Sequence, residues 1–282
     1  MNNSIHSINA SSTTDITCRG LTWFELLTKQ LDKHSTQVPS VQVADGELAG
    51  RACRFIAVVP DLNNHFPRAK NGEVGLLEGI ALAREVQAVI KADEQQSDKR
   101  ALILVVDVPS QAYGRREETL GIHQALAAAV SAYANARQSG HPVIALLVGK
   151  AMSGAYLAHG YQANRIIALS DEGVMVHAMG KAAAARVTQR TEAELDQLAK
   201  EIPPMAYDLK SYASLGLIDN LLSVESACHP TENDKQLVEQ ALTASLLDIQ
   251  PNDIGIARRL NGENREASRH VRDLLKAQWS GD

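Results

Sequence analysis

Apolar and polar positions fall in blocks along this chain, and from residue 51 the blocks follow a regular order. Residues 53–59 form an apolar run that predicts a strand. The polar loop over residues 60–72 then carries Asn63, Asn64, His65 and Arg68. Within residues 74–92, Leu82, Val86, Val89 and Ile90 fall on one stripe at i, i+4, i+7 and i+8, the spacing of an amphipathic helix. A charged connector (residues 93–100) leads to a second strand over residues 101–106. The loop DVPSQAYGRREE (residues 107–118) then crosses to a helix marked by Ile122, Leu126, Ala129, Val130 and Tyr133, which Gly140 and Pro142 end. Residues 143–148 are continuously apolar and bounded by Pro142 and Gly149, so they read as a strand buried on both faces. Two more apolar runs follow at residues 165–169 and 174–179, the second containing His177. This alternation predicts an α/β fold with parallel strands joined by right-handed crossovers.

The ends of the chain are less regular. Residues 1–20 are rich in Ser, Thr and Asn without periodicity and predict a flexible tail. Residues 21–31 contain Trp23, Phe24, Leu26, Leu27 and Leu31, which suit a helix docked on the body or on a partner. From residue 181 the pattern turns helical: an Ala run, an acidic helix near residues 192–200, a segment ending SLGLIDNLL, and helices over residues 230–282. The domain organisation is therefore a tail (1–20) and a single domain (21–282) with a helical C-terminal segment. Arg258, Arg259, Arg265, Arg269 and Arg272 make the last stretch basic, which reads as a solvated face rather than a phosphate site.

Composition narrows the classes of function. A net charge of −5 argues against a nucleic-acid or acidic-membrane binder. Cys18, Cys53 and Cys228 form no CxxC and pair with no histidine at ligand spacing, which disfavours a disulfide framework or zinc site and fits a reducing cytoplasm. No apolar run reaches the roughly 18 residues needed to span a membrane, and the polar N-terminus does not resemble a signal peptide. Without a P-loop, a GxGxxG or an EF-hand, nucleotide hydrolysis, nicotinamide binding and calcium sensing have no support.

Candidate chemistry concentrates in residues 142–164, PVIALLVGKAMSGAYLAHGYQAN. Gly149, Ala151, Ser153, Gly154 and Ala155 are small, and Tyr156, Leu157 and Ala158 continue at helical spacing. A strand opening into a helix aims backbone N–H groups without intrahelical partners at one spot, and the helix dipole adds partial positive charge. Small side chains let a substrate oxygen approach, which is what an oxyanion hole requires; they equally suit a tight turn packed for its own sake. The loop Pro109-Ser110-Gln111-Ala112-Tyr113-Gly114 ends the preceding strand, so in a parallel sheet it lies beside the Gly149 turn and can add donors. Ser153 reads either as a small turn residue or as a nucleophile with His177 as its base; the plainer role for His177 is a buried ring satisfied by backbone. His65, His123, His141 and His159 follow no pattern and read as surface or packing residues. Lys150 and Lys181 flank the turn and the His177 strand, either solvated or meeting a carboxylate or phosphate. Asp107, at a strand end, is a general-base candidate of low specificity.

The runs GRREETLGIHQALAAAV, HPVIALLVGKAMSGAYLAHGYQANRIIAL, VMVHAMGKAAAARVTQR and PPMAYDLKSYASLGLIDNLL fall in an order that resembles the gamma subunit of biotin-independent malonate decarboxylase over about residues 51–222. More broadly, they resemble the carboxyltransferase branch of the crotonase superfamily. The resemblance implies an α/β, crotonase-like β/α spiral that pairs with a crotonase-like beta subunit to build an active site between them. It also implies a carrier: an acyl carrier protein bearing a phosphopantetheine-type prosthetic group, with no cofactor bound directly and no biotin. The malonyl thioester on that carrier would yield CO2 and an acetyl thioester, in cytoplasmic malonate catabolism. Carried over by position, one oxyanion hole would use N–H groups from the Gly114 loop and from Met152, Ser153 and Gly154, the other lying in the partner. His177 would orient or protonate the product. Two rival readings remain at this level. Clp-type serine peptidases share the fold, and Ser153 with His177 mimics their pair, though Glu225 or Asp219 would have to complete it without motif support. The chain can also be a scaffold that only completes its partner's site.

Overall fold

The computed structural model describes residues 18–279. Most of the expected tail lies outside the described residues, whereas Arg19 and Gly20 already belong to the first helix, α1 (Arg19–Leu27). Trp23 and Phe24 on α1 are fully buried, and the Trp23 indole Nε1–H donates to the Ala227 carbonyl at 2.9 Å, tying the start of the body to a residue 204 positions further on. The strands β1 (Asp32–His34), β2 (Val41–Leu48) and β3 (Arg51–Val58) form an antiparallel edge. Then come α2 (Leu76–Ala92), β4 (Ala101–Val108), α3 (Arg115–Thr119), α4 (Ile122–Gln138), β5 (Val143–Met152) and α5 (Ser153–Ala158). The chain continues through β6 (Arg165–Leu169), β7 (Met175–His177), α6 (Lys181–Thr188), α7 (Glu192–Glu201), α8 (Leu209–Ser214), β8 (Asn220–Leu222), α9 (Glu232–Asp248) and α10 (Glu266–Trp279).

The strands form one sheet in the order β1-β2-β3-β4-β5-β6-β8, parallel from β3 onward, with β7 paired to β5 off this path. All residues of β4 are buried, as expected of a parallel strand covered on both faces. The helices α2 and α4 lie against each other closely enough that a Cβ on Gly79 would come within 2.7 Å of the Ala125 backbone. Among the described residues, no helix is long and apolar enough to cross a membrane. The three cysteines are free.

Three elements depart from the sequence pattern. β5 runs on to Met152, so Gly149, Lys150 and Ala151 are strand rather than turn. Its early half pairs with β6 through Ile144 to Leu147, and its late half pairs with β7 through Lys150 to Met152. β8 occupies part of the segment expected to be helical, and β1 and β2 precede the first expected strand.

Candidate active site

The site is built where β5 ends. β4 has an irregularity between Val106 and Val108 that turns the buried Asp107 toward β5. Its carboxylate accepts the Lys150 N–H at 2.9 Å and the Gly20 N–H at 3.1 Å. A Cβ at Gly149 would collide with that carboxylate, so the glycine is dictated by close approach. Beyond this tie, Ser153 adopts φ 57°, the left-handed region that a non-glycine residue seldom enters. Its Oγ donates to the Ala178 carbonyl at 2.5 Å, which holds the strained turn against the residue after β7. The next backbone donor, Gly154 N–H, meets the side chain of Gln111, whose Oε1 accepts it at 2.9 Å.

A cavity of about 410 Å³ opens at this junction, lined among others by Gln111, Ser153, Gly154, Tyr156, His177 and Leu217. His177 is half-buried, and its Nδ1 faces the Met179 N–H at 3.2 Å. A backbone N–H can only donate, so Nδ1 accepts and the neutral ring carries its proton on Nε2. Burial also pushes the His177 pKa below the ordinary histidine value, which favours the neutral form. The ring stacks on Tyr207 with centroids 3.8 Å apart and planes 12° apart. Lys181 Nζ lies 5.6 Å from the Tyr207 ring centroid and 2.7 Å from Asp196. Bonding to Asp196 raises the lysine pKa, so Lys181 is a paired cation.

These contacts sort the expected site residues. Ser153, Gly154 and His177 share the cavity wall, and Met152 lies opposite His177 in the β5–β7 ladder. Ser153 and His177 share no hydrogen bond, because the hydroxyl is directed to Ala178 and Nδ1 is occupied by Met179. Gly114 caps α3, packs against Glu117 and does not line the cavity. Asp107 is an acceptor for backbone N–H groups of α1 and β5. Asp219 accepts the Ile166 N–H at 2.8 Å and pairs with Arg258 at 3.2 Å, while the Glu225 N–H donates to Asp234. The basic stretch divides: Arg258 and Arg272 are exposed, as on a solvated face, whereas Arg259 donates to the Ala163 carbonyl, Arg265 to Leu215 and Arg269 to Leu260. Gln111, which lines the cavity, and Tyr207, which stacks on His177, have side chains that the sequence pattern gives no reason to select.

Distant solved structures bear on the fold. A transcarboxylase 12S chain matches with a TM-score of 0.59 at 18% identity, covering 82% of this chain and 41% of that one, so the two share a fold. The family model for the malonate decarboxylase gamma subunit matches residues 69–279, and the chain belongs to that family. A chain of a Pseudomonas malonate decarboxylase hetero-tetramer in complex with coenzyme A is 58% identical, with a TM-score of 0.89, covering 93% of this chain and 100% of that one. The MdcD–MdcE hetero-dimer of a Pseudomonas malonate decarboxylase matches at 58% identity and a TM-score of 0.85, with the same coverage. The malonyl-S-ACP:biotin-protein carboxyltransferase MADD of Malonomonas rubra is 34% identical over 188 residues, 65% of this chain. The matched stretch spans 64% of that relative's length.

Proposed function

We propose that this chain is one wall of a malonyl-thioester decarboxylase, active as a hetero-oligomer with a crotonase-like beta-type partner and an acyl carrier protein. In the reaction, the bond between the carboxylate carbon and the methylene carbon breaks and CO2 leaves. The electron pair moves toward the thioester oxygen as an enolate, and a proton then reaches the methylene carbon to give the acetyl thioester. The barrier falls when fixed donors wait where that oxygen gains charge, each worth about 10²–10³ in rate. The observation that carries the reading is the cavity at the end of β5, which the strained Ser153 turn and the neutral His177 ring line together. A neutral imidazole locked in this tautomer suits an electrophilic donor to oxygen.

The same tautomer weighs against a Ser–His hydrolase. With Nδ1 taken by Met179 and Nε2 protonated, His177 has no lone pair for the Ser153 proton, and the hydroxyl is bonded elsewhere. Identity of 58% to a Pseudomonas malonate decarboxylase, against 34% to the biotin-protein carboxyltransferase, supports a biotin-independent reaction on a carrier-borne phosphopantetheine-type thioester. That setting is cytoplasmic malonate catabolism.

The test is CO2 release from a malonyl thioester by this chain alone, by the beta-type partner alone, and by the co-purified pair. Activity confined to the pair is the expected result. No CO2 from any combination would remove the reading, and full activity of the partner alone would reduce this chain to a scaffold.

A further inference from the structure

Gln111 is placed at the cavity in a way that assigns both ends of its carboxamide. Its Oε1 accepts the Gly154 N–H at 2.9 Å. Because that N–H can only donate, the amide cannot be flipped: the oxygen must face Gly154 and the NH2 must face away from it. The Nε2 group has no hydrogen-bond partner among the described residues, and Gln111 lines the cavity shared by Ser153 and His177. Its backbone is held as well, since Ala112 N–H donates to the Val74 carbonyl and Val74 N–H to the Ser110 carbonyl. The side chain is thus fixed at its root and at its oxygen, leaving two amide hydrogens unassigned beside the site.

We infer that Gln111 is a substrate-binding donor whose Nε2–H2 holds an acyl or carboxylate oxygen of the malonyl group, with Gly154 N–H serving as the anchor that aims it. This rests on the decarboxylase reading above. It changes the role of Gly154, whose N–H acts on the substrate through the amide rather than by direct contact. A competing role for the same contact is a plug, in which Gln111 fills the oxyanion position and is displaced when substrate arrives.

The two roles give opposite results in the co-purified complex with carrier-bound malonyl thioester. For a donor, Gln111→Ala lowers kcat by about 10² while the complex still assembles; for a plug, the variant is as fast as wild type or faster, which overturns the inference. Gln111→Glu keeps the Gly154 anchor but turns a lone pair toward the substrate oxygen. Its activity relative to wild type should therefore rise as pH falls from 8 toward 5 (about the range over which a shielded glutamate regains its proton), because protonation restores one donor. A merely structural Gln111 would give a ratio that stays constant with pH, and that result overturns the inference even if Gln111→Ala fails to assemble. Wild-type complex measured alongside separates the two failures: if it releases no CO2, the decarboxylase reading falls and takes this inference with it; if it is active and the variants behave as a plug or a filler, only the role of Gln111 falls.

Discussion

His159 and His177 carry their protons on the same nitrogen, yet they belong to opposite parts of the molecule. His159, just after α5, is fully buried; its Nε2 lies 3.2 Å from the Val105 carbonyl and its Nδ1 3.1 Å from the Tyr133 hydroxyl. The carbonyl must accept, so Nε2–H donates and Nδ1 is left to accept from the phenol. Both nitrogens are used, and burial pushes the pKa down to about 4. His177 has the same tautomer, fixed from the other side by Met179, but its Nε2–H has no partner among the described residues. It is half-buried beside a cavity. Burial with both nitrogens satisfied makes a core residue; burial with one satisfied and one presented makes a candidate catalytic donor.

The contrast breaks most sharply if the two rings are removed in turn. His177→Ala should lower CO2 release by the assembled complex by roughly 10²–10³ and leave the unfolding midpoint nearly unchanged. A rate within a few-fold of wild type would place His177 with the core histidine. His159→Ala should do the reverse, costing about 2–4 kcal/mol of stability through a cavity and two lost hydrogen bonds. Its rate per folded molecule should hold, as denaturant unfolding and active-site titration can check.

A pH series sharpens the same comparison. A depressed folded-state pKa means that the unfolded chain binds more protons over the interval, so stability falls as pH falls. For His159 the window runs from the ordinary 6.5 down to about 4 and amounts to about 3 kcal/mol. Unfolding midpoints of the wild type and of His159→Phe should converge across that window as the wild type loses stability. Parallel curves would show that the buried ring titrates normally. The smallest expected effect concerns the stack under His177. Tyr207→Phe keeps the ring pair and should leave kcat within about twofold, whereas Tyr207→Leu should lower kcat by about tenfold, the range of one lost aromatic contact. Equal effects of the two would remove the positioning role.

The strands and helices that carry the core were legible because their apolar periods are long: β4 and the early half of β5 read as buried runs, and α2 and α4 as stripes. β1 and β8 span three residues each, too short for any period, and β2 interrupts its alternation with Asp45 and Gly46. The apolar run also ended four residues' worth of strand early in β5, since small residues beside Asp107 look like a turn until the carboxylate above Gly149 is seen. At the site, the strand-to-helix junction and His177 stood out in sequence, and the 109–114 loop was chosen for its backbone. What reaches the junction from that loop is a side chain, Gln111. Which group of a loop points inward depends on tertiary placement, and no spacing rule encodes it. Tyr207 lies in a stretch without period and meets His177 only through the fold.

The Asp107 tie gives the start of the chain a practical meaning. One carboxylate takes an N–H from Gly20 in α1 and another from Lys150, near the end of the strand that delivers Ser153. A fusion, label or cleavage site placed within α1 would therefore be felt as a change of seating three residues from the cavity wall (153 − 150 = 3). A shortened chain that begins after α1 lacks this tie and is a poor proxy for the enzyme.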